Sequence, residues 1–178
     1  MTRCVALLRG IGPANPNMRN EHLRRVAEGV GLQNVTTFIS SGNVLFETDS
    51  DDMASVESTL EGAWLDELGF RSTTIIRTED ELGSLVELDP YTGLDHGPAT
   101  YLLTTFAKSK LDISFDIPHQ PPDHDYRVIA ATDRELFTIT DTTTERTPDV
   151  MAWLEREFGK EITSRTWLTV TRILRKMR

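Results

Sequence analysis

Val35-Thr-Thr-Phe-Ile-Ser-Ser-Gly-Asn-Val-Leu-Phe-Glu47 sets the topology of the chain. Val35 to Ile39 is β-branched and aromatic, the composition that suits a pleated, half-buried strand. Ser40-Ser41-Gly42-Asn43 is turn chemistry, because glycine supplies positive φ and asparagine tolerates it. Val44 to Glu47 then predicts the returning strand of a β-hairpin. Two strands alone are marginal in water, so the flanking sequence has to supply the rest of a sheet.

On the N-terminal side, Arg3 to Leu8 is a short apolar run ending at a glycine, which predicts a buried central strand. Gly10, Gly12, Pro13 and Pro16 break regular structure. Asn17 or Asn20 is positioned to cap a helix running to about Gly29, with Leu23, Val26, Ala27 and Val30 at helical spacing. On the C-terminal side, the acids of Asp49-Ser-Asp-Asp52 suit a helix N-terminus. Met53, Val56, Leu60, Trp64 and Leu68 give that helix one apolar face. A strand is predicted from Ser72 to Arg77, and Thr78-Glu-Asp-Glu81 fits a capping box that opens a short helix to about Leu88. The order β-α-β-β-α-β is that of a ferredoxin-like unit, with strand order 4-1-3-2 and both helices on one face.

Residues 92–98 are rich in glycine and proline and predict a linker. Strands follow at 100–107, 126–131 and 135–140, then a helix opening at Thr147-Pro148 with Val150, Met151, Trp153, Leu154 and Phe158 on its apolar face. A closing strand at 161–165 and a terminal helix at 168–177 complete the chain. Lys108 to Asp125 holds three prolines and no clear period, with room for one short helical turn. The expectation is an α+β protein of two ferredoxin-like (βαββαβ) halves, 1–92 and 98–178. The second is irregular and carries an extra C-terminal helix.

The net charge of −9 argues against nucleic acid and anionic membranes as general partners, since both require a basic surface. The charge is unevenly spread. Residues 1–31 carry five Arg against two Glu, and residues 156–178 carry seven Lys or Arg against two Glu. The 124 residues between them carry the acidic excess. Basic ends that meet would make an anion site; basic helix faces that stay solvated would make none. Cys4 is the only cysteine and sits in an apolar strand, which predicts a buried thiol. The N-terminus has no secretory signal pattern and no window has the length of a membrane span, so a cytoplasmic protein is expected. Pro118-His-Gln-Pro-Pro-Asp-His-Asp125 holds two His and two Asp at a spacing that matches no standard metal site, and no metal is assigned. No phosphate-binding loop, dinucleotide fingerprint or hydrolase elbow occurs, so no cofactor and no catalytic residue is assigned.

The topology places candidate ligand-binding residues together. In a split βαβ unit, the C-terminal end of the first strand lies beside the hairpin turn. Arg9 and Gly10 therefore face Ser41, Gly42 and Asn43, next to the start of the first helix. A cation, a hydroxyl, an amide and free backbone N–H groups suit a phosphate or carboxylate. The alternative is structural: Gly42-Asn43 is sound turn chemistry by itself.

Val5-Ala-Leu-Leu-Arg-Gly-Ile11, Ile39-Ser-Ser-Gly-Asn-Val-Leu-Phe46 and Thr163-Ser-Arg-Thr-Trp-Leu-Thr-Val170 resemble, in order, three segments of the bacterial domain-of-unknown-function family DUF1697. The resemblance implies a fold of two ferredoxin-like plaits and no established activity. Gly12 and Thr166 stand where the family pattern has asparagine, so a side-chain amide is missing at each. Within the third segment, Arg165 is a second candidate for neutralising an anion and Trp167 for stacking on a planar group. The resulting expectation is a protein that binds an anionic small molecule through Arg9, Gly10, Ser41, Gly42, Asn43, Arg165 and Trp167. The competing expectation is a non-catalytic interaction module, such as a homodimer, in which these motifs serve packing.

Overall fold

The computed structural model describes residues 1–12, 14–39, 42–122, 124–143 and 147–178. β1 (Thr2–Leu8) is the strand around which the first half is built, and Cys4 to Leu8 are all buried. An apolar run without alternation is a strand covered on both faces. A 3₁₀ turn at Pro16–Met18 follows, then α1 (Asn20–Gly29), β2 (Gln33–Thr37), β3 (Asn43–Thr48), α2 (Met53–Leu68), β4 (Thr74–Thr78) and α3 (Glu79–Leu88). The sheet order is β2-β3-β1-β4 with every neighbouring pair antiparallel, which is the expected 4-1-3-2. Leu23, Val26 and Ala27 of α1 and Leu60, Trp64 and Leu68 of α2 pack on one face, against Cys4, Ala6, Leu8, Val44, Phe46 and Ile76.

Two local expectations are corrected. Neither Asn17 nor Asn20 caps α1. Asn15 caps the preceding 3₁₀ turn by accepting from the Asn17 N–H, and Arg19 stands at the start of α1 without a side-chain cap bond. Pro16 explains this, because its fixed φ and missing N–H suit a first helical position and draw the cap forward. β2 ends at Thr37 rather than Ile39, since Ile39 adopts φ 59° and leaves the strand.

The second half contains β5 (Thr100–Ala107), β6 (Tyr126–Ala131), β7 (Glu135–Asp141), α4 (Thr147–Phe158), β8 (Ile162–Thr166) and α5 (Trp167–Met177). Its sheet order, β6-β7-β5-β8, repeats that of the first half element for element. The register repeats as well. Val5 lies between Leu45 and Arg77; Thr104 lies between Phe137 and Arg165. The edge strands β2 and β6 each carry a register shift beside the residue paired to Leu45 or Phe137. The α+β architecture of two ferredoxin-like halves with a C-terminal helix is thus the fold of the chain.

One element has no helical counterpart. Where α1 covers the first sheet, the second has residues 108–122, which contain no helical turn among the described residues. Leu111, Ile113, Phe115 and Ile117 alternate along this segment and pack on the core formed by Leu103, Tyr126, Val128, Leu136, Trp153 and Leu154. Alternation of period two is the pattern of an extended chain with one face buried.

Packing groups Met1–Gly83 with Ile173–Arg178 in one unit and Ser84–Arg172 in the other. Among the described residues, no helix is long and apolar enough to cross a membrane.

Candidate functional site

Arg9 is the first residue beyond β1, and its main chain is held on both sides. Its N–H donates to Thr73 O at 2.9 Å, and its carbonyl accepts from the Ser72 hydroxyl at 2.7 Å. The residue is partly buried. Gly10 is exposed, with φ +70° and no atom within 4 Å of where a Cβ would stand.

The hairpin turn meets this strand end as the topology requires. Leu8 N–H donates to Gly42 O at 2.8 Å, and Leu7 pairs with Asn43. Gly42 has φ +73°, and a Cβ there would lie 2.6 Å from Ile11 Cγ1 and 3.0 Å from Leu8 Cβ. It is glycine for two reasons, backbone conformation and close approach. Asn43 is fully buried, and its Nδ2 donates to Phe38 O at 2.9 Å while its main-chain O accepts from Phe38 N–H at 3.0 Å. Its side chain and main chain thus both tie Asn43 to Phe38. Ser41 lies outside the described residues.

Arg165 and Trp167 belong to the second unit. Arg165 is in β8, 9% exposed, and its Nη1 donates to Thr163 Oγ1 at 3.0 Å and Ser164 O at 2.8 Å. Burial pushes its guanidinium down to about 10, because a charge removed from water is disfavoured. Trp167 opens α5 and is half-buried, with its ring centroid 5.4 Å from Tyr91 and 6.2 Å from Phe137. Tyr91 pins the same region: its hydroxyl donates to Leu103 O at 2.6 Å and accepts from Thr138 N–H at 3.1 Å. These groups therefore form a packed polar–aromatic layer on β5, β7 and β8.

Sequence reading missed that Arg165 has a twin. Arg77 occupies the same register position in β4, is 1% exposed, and donates from Nη1 to the preceding carbonyl, Ile76 O, at 2.9 Å. Each arginine is followed by a threonine that caps the next helix. Thr78 Oγ1 accepts from Glu81 N–H at 3.1 Å, and Thr166 Oγ1 accepts from Thr169 N–H at 3.1 Å. The signal was present as Arg77-Thr78 and Arg165-Thr166, each a strand end directly before a helix.

Cys4 is buried, and burial, with the Glu81 carboxylate adding to it, pushes its thiol up to about 12, which disfavours the thiolate at neutral pH. His119 stacks on Phe115 with centroids 4.1 Å apart and pairs through its backbone with Val128; His124 stacks on Tyr126. Among the described residues, no group of three His, Cys, Asp or Glu side chains is arranged to hold a metal ion.

A conserved bacterial protein from Streptococcus pneumoniae has a similar solved structure, with a TM-score of 0.73 at 20% identity over 99% of each chain. At that identity the likeness shows the fold. No curated protein matches the chain. The family described as Protein of unknown function (DUF1697) matches residues 1–137, more than three quarters of the sequence. The chain, with its paired ferredoxin-like halves, therefore belongs to the DUF1697 family.

Proposed function

We propose that this protein is a cytoplasmic binder of an anionic small molecule, one bearing a phosphate or carboxylate. The binding edge is the place where Arg9 and Gly10 leave β1 beside the turn ending in Gly42 and Asn43. The observation that carries the reading is the anchoring of Arg9. Its N–H and carbonyl are both bonded, to Thr73 and Ser72, so a partly buried arginine leaves a hydrogen-bonded backbone next to an exposed glycine. An arginine on a fixed backbone loses less entropy on binding than one on a mobile loop, and its planar fork matches an oxyanion. In this reading Gly42 and Asn43 shape the edge, and Arg9, Gly10 and the adjacent Ser41 meet the ligand.

The test is a thermal-shift and calorimetric panel of inorganic phosphate, pyrophosphate, nucleotides and small dicarboxylates. A ligand at 100 times its dissociation constant raises stability by about 2.7 kcal/mol. Arg9→Ala should abolish that shift while leaving the unliganded melting temperature within a few degrees. A ligand response that survives Arg9→Ala would place the site elsewhere.

A second reading has its own support. Asn43 is fully buried on Phe38 O, Gly42 is required by Ile11 and Leu8, and Trp167 is packed on Tyr91 and Phe137. The family motifs would then serve packing, and the protein would be a non-catalytic interaction or self-association module. A silent ligand panel combined with a dimer in sedimentation equilibrium is the outcome that favours it.

A further inference from the structure

β4 is the outer strand of the first sheet. In an antiparallel ladder, alternate residues turn their N–H groups toward the neighbour and away from it. Thr74, Ile76 and Thr78 are the residues of β4 whose N–H groups point away from β1. An outward row of this kind is a template for another strand.

Each of the three is already occupied by a carboxylate. Thr74 N–H donates to Glu61 Oε1 at 2.8 Å, Ile76 N–H to Glu57 Oε1 at 2.8 Å, and Thr78 N–H to Glu81 Oε2 at 2.8 Å. The spacing is matched between elements. Four residues of helix rise about 6 Å and two residues of strand about 6.7 Å, so side chains at 57 and 61 on α2 reach amides at 76 and 74. Trp64, one turn further, fixes the alignment by donating from Nε1 to Thr74 Oγ1 at 3.0 Å. Glu81 reaches the third amide from the first turn of α3, as the returning half of the capping box. Glu57 is 5% exposed, so its carboxylate is taken out of water to do this. The opposite edge, β2, uses other means: a register shift and Asn34 at φ 51° break the flat edge that strand pairing needs.

We infer that Glu57, Glu61 and Glu81 together stand in for a fifth strand and deny the β4 edge to a second copy of this chain. The three acceptors supply the hydrogen bonds that a docking strand would offer, so strand addition gains nothing until they are displaced.

Native-state hydrogen exchange on the wild-type protein gives the first test. The amides of Thr74, Ile76 and Thr78 should exchange as slowly as those of Ile75 and Arg77, which face β1. Exchange at the rate of exposed β2 amides would overturn the inference. Sedimentation velocity gives the second. Glu57→Ala/Glu61→Ala should exchange about ten-fold or more faster at residues 74 and 76 and shift to larger, concentration-dependent species relative to wild type. Glu57→Gln/Glu61→Gln keeps an acceptor oxygen at each position and should sediment as wild type. A folded alanine variant that sediments as wild type at every concentration would overturn the proposal. So would a glutamine variant that associates as strongly as the alanine one, since charge repulsion would then be the cause. If the alanine variant does not fold, wild-type exchange still decides, and a glutamine variant that forms larger species than wild type overturns the proposal.

Discussion

Gly42 and Gly10 both sit at positive φ, yet they carry different constraints. Gly10 has open space around its missing Cβ, so Gly10→Ala meets only the left-handed backbone penalty, about 1 kcal/mol. Gly42→Ala meets that penalty and a Cβ 2.6 Å from Ile11 Cγ1. Relieving the overlap adds a cost of about 1–3 kcal/mol. Urea unfolding should rank the variants wild type, Gly10→Ala, Gly42→Ala in falling stability, and a Gly42→Ala protein as stable as wild type would remove the turn argument. Single buried residues also tilt the dependence of stability on alkaline pH. The Cys4 thiol is pushed up from 9.0 to about 12, so above pH 9 the unfolded chain loses this proton while the folded chain keeps it. The unfolded state then binds fewer protons, and stability falls as pH rises. Tyr91, pushed up from 10.0 by burial, acts in the same direction above pH 10, whereas Arg165, pushed down to about 10, acts in the opposite direction there. In the interval from pH 9 to 10 Cys4 dominates, because the Tyr91 and Arg165 effects are only partly developed there and opposite in sign. Wild type should lose up to about 1.4 kcal/mol across it, and Cys4→Ala should show a shallower slope in urea titrations at the two pH values.

The strand–helix corners β4–α3 and β8–α5 are the clearest repeated element. Each consists of a buried arginine, a capping threonine and a helix start. Thr78→Ala and Thr166→Ala should each cost about 1 kcal/mol, the usual loss for an N-cap hydroxyl, and the two should add when combined because they cap separate helices. Serine at either position should restore most of the loss. A negligible effect at Thr166 would break the equivalence of the corners. The segment that replaces a first helix in the second half depends on packing in the same way. Phe115 touches His119, Trp153 and Phe158 with ring centroids 4.1 to 6.2 Å apart. Alanine there removes the side chain that holds an otherwise irregular stretch on its sheet, and proteolysis within residues 108–122 should accelerate.

We propose 1–92 and 98–178 as the halves to separate in fragment experiments, with one consequence built in. The last six residues pack with the first unit. Ile173, Leu174 and Met177 are buried, Arg3 Nη1 donates to Met177 O at 3.1 Å, and Arg178 pairs with Glu79 at 4.0 Å. A 1–92 fragment leaves that part of the unit open. It should therefore unfold at lower urea concentration than the same residues do in the full chain, and a synthetic peptide of residues 167–178 should raise its midpoint. Deleting 173–178 from the full chain should likewise speed hydrogen exchange in β1 and β4. Exchange unchanged by the deletion would show the tail to be a passive appendage.

The sequence by itself determined the element order, the first antiparallel sheet with strand order 4-1-3-2, the capping box at Thr78 and the meeting of the end of β1 with the hairpin turn. These rest on local signals: the period of apolar residues, turn chemistry at Gly42-Asn43, and the single topology that a βαββαβ order allows in a sheet with both helices on one face. Only the tertiary structure decided what the polar residues within those elements do. Glu57 and Glu61 lie outside the apolar face that the spacing assigns to their helix, yet they end on the amides of β4. Asn43 reads as a turn residue facing a ligand, yet its amide turns inward to Phe38. Arg165 reads as a candidate anion-binding cation and Arg77 only as the end of a strand, until the register shows them at one equivalent position. A side chain's apolar area fixes which way it faces from the sequence pattern alone. A hydrogen-bonding group takes whichever partner the assembled backbone presents, and that partner is set by residues far away in the chain.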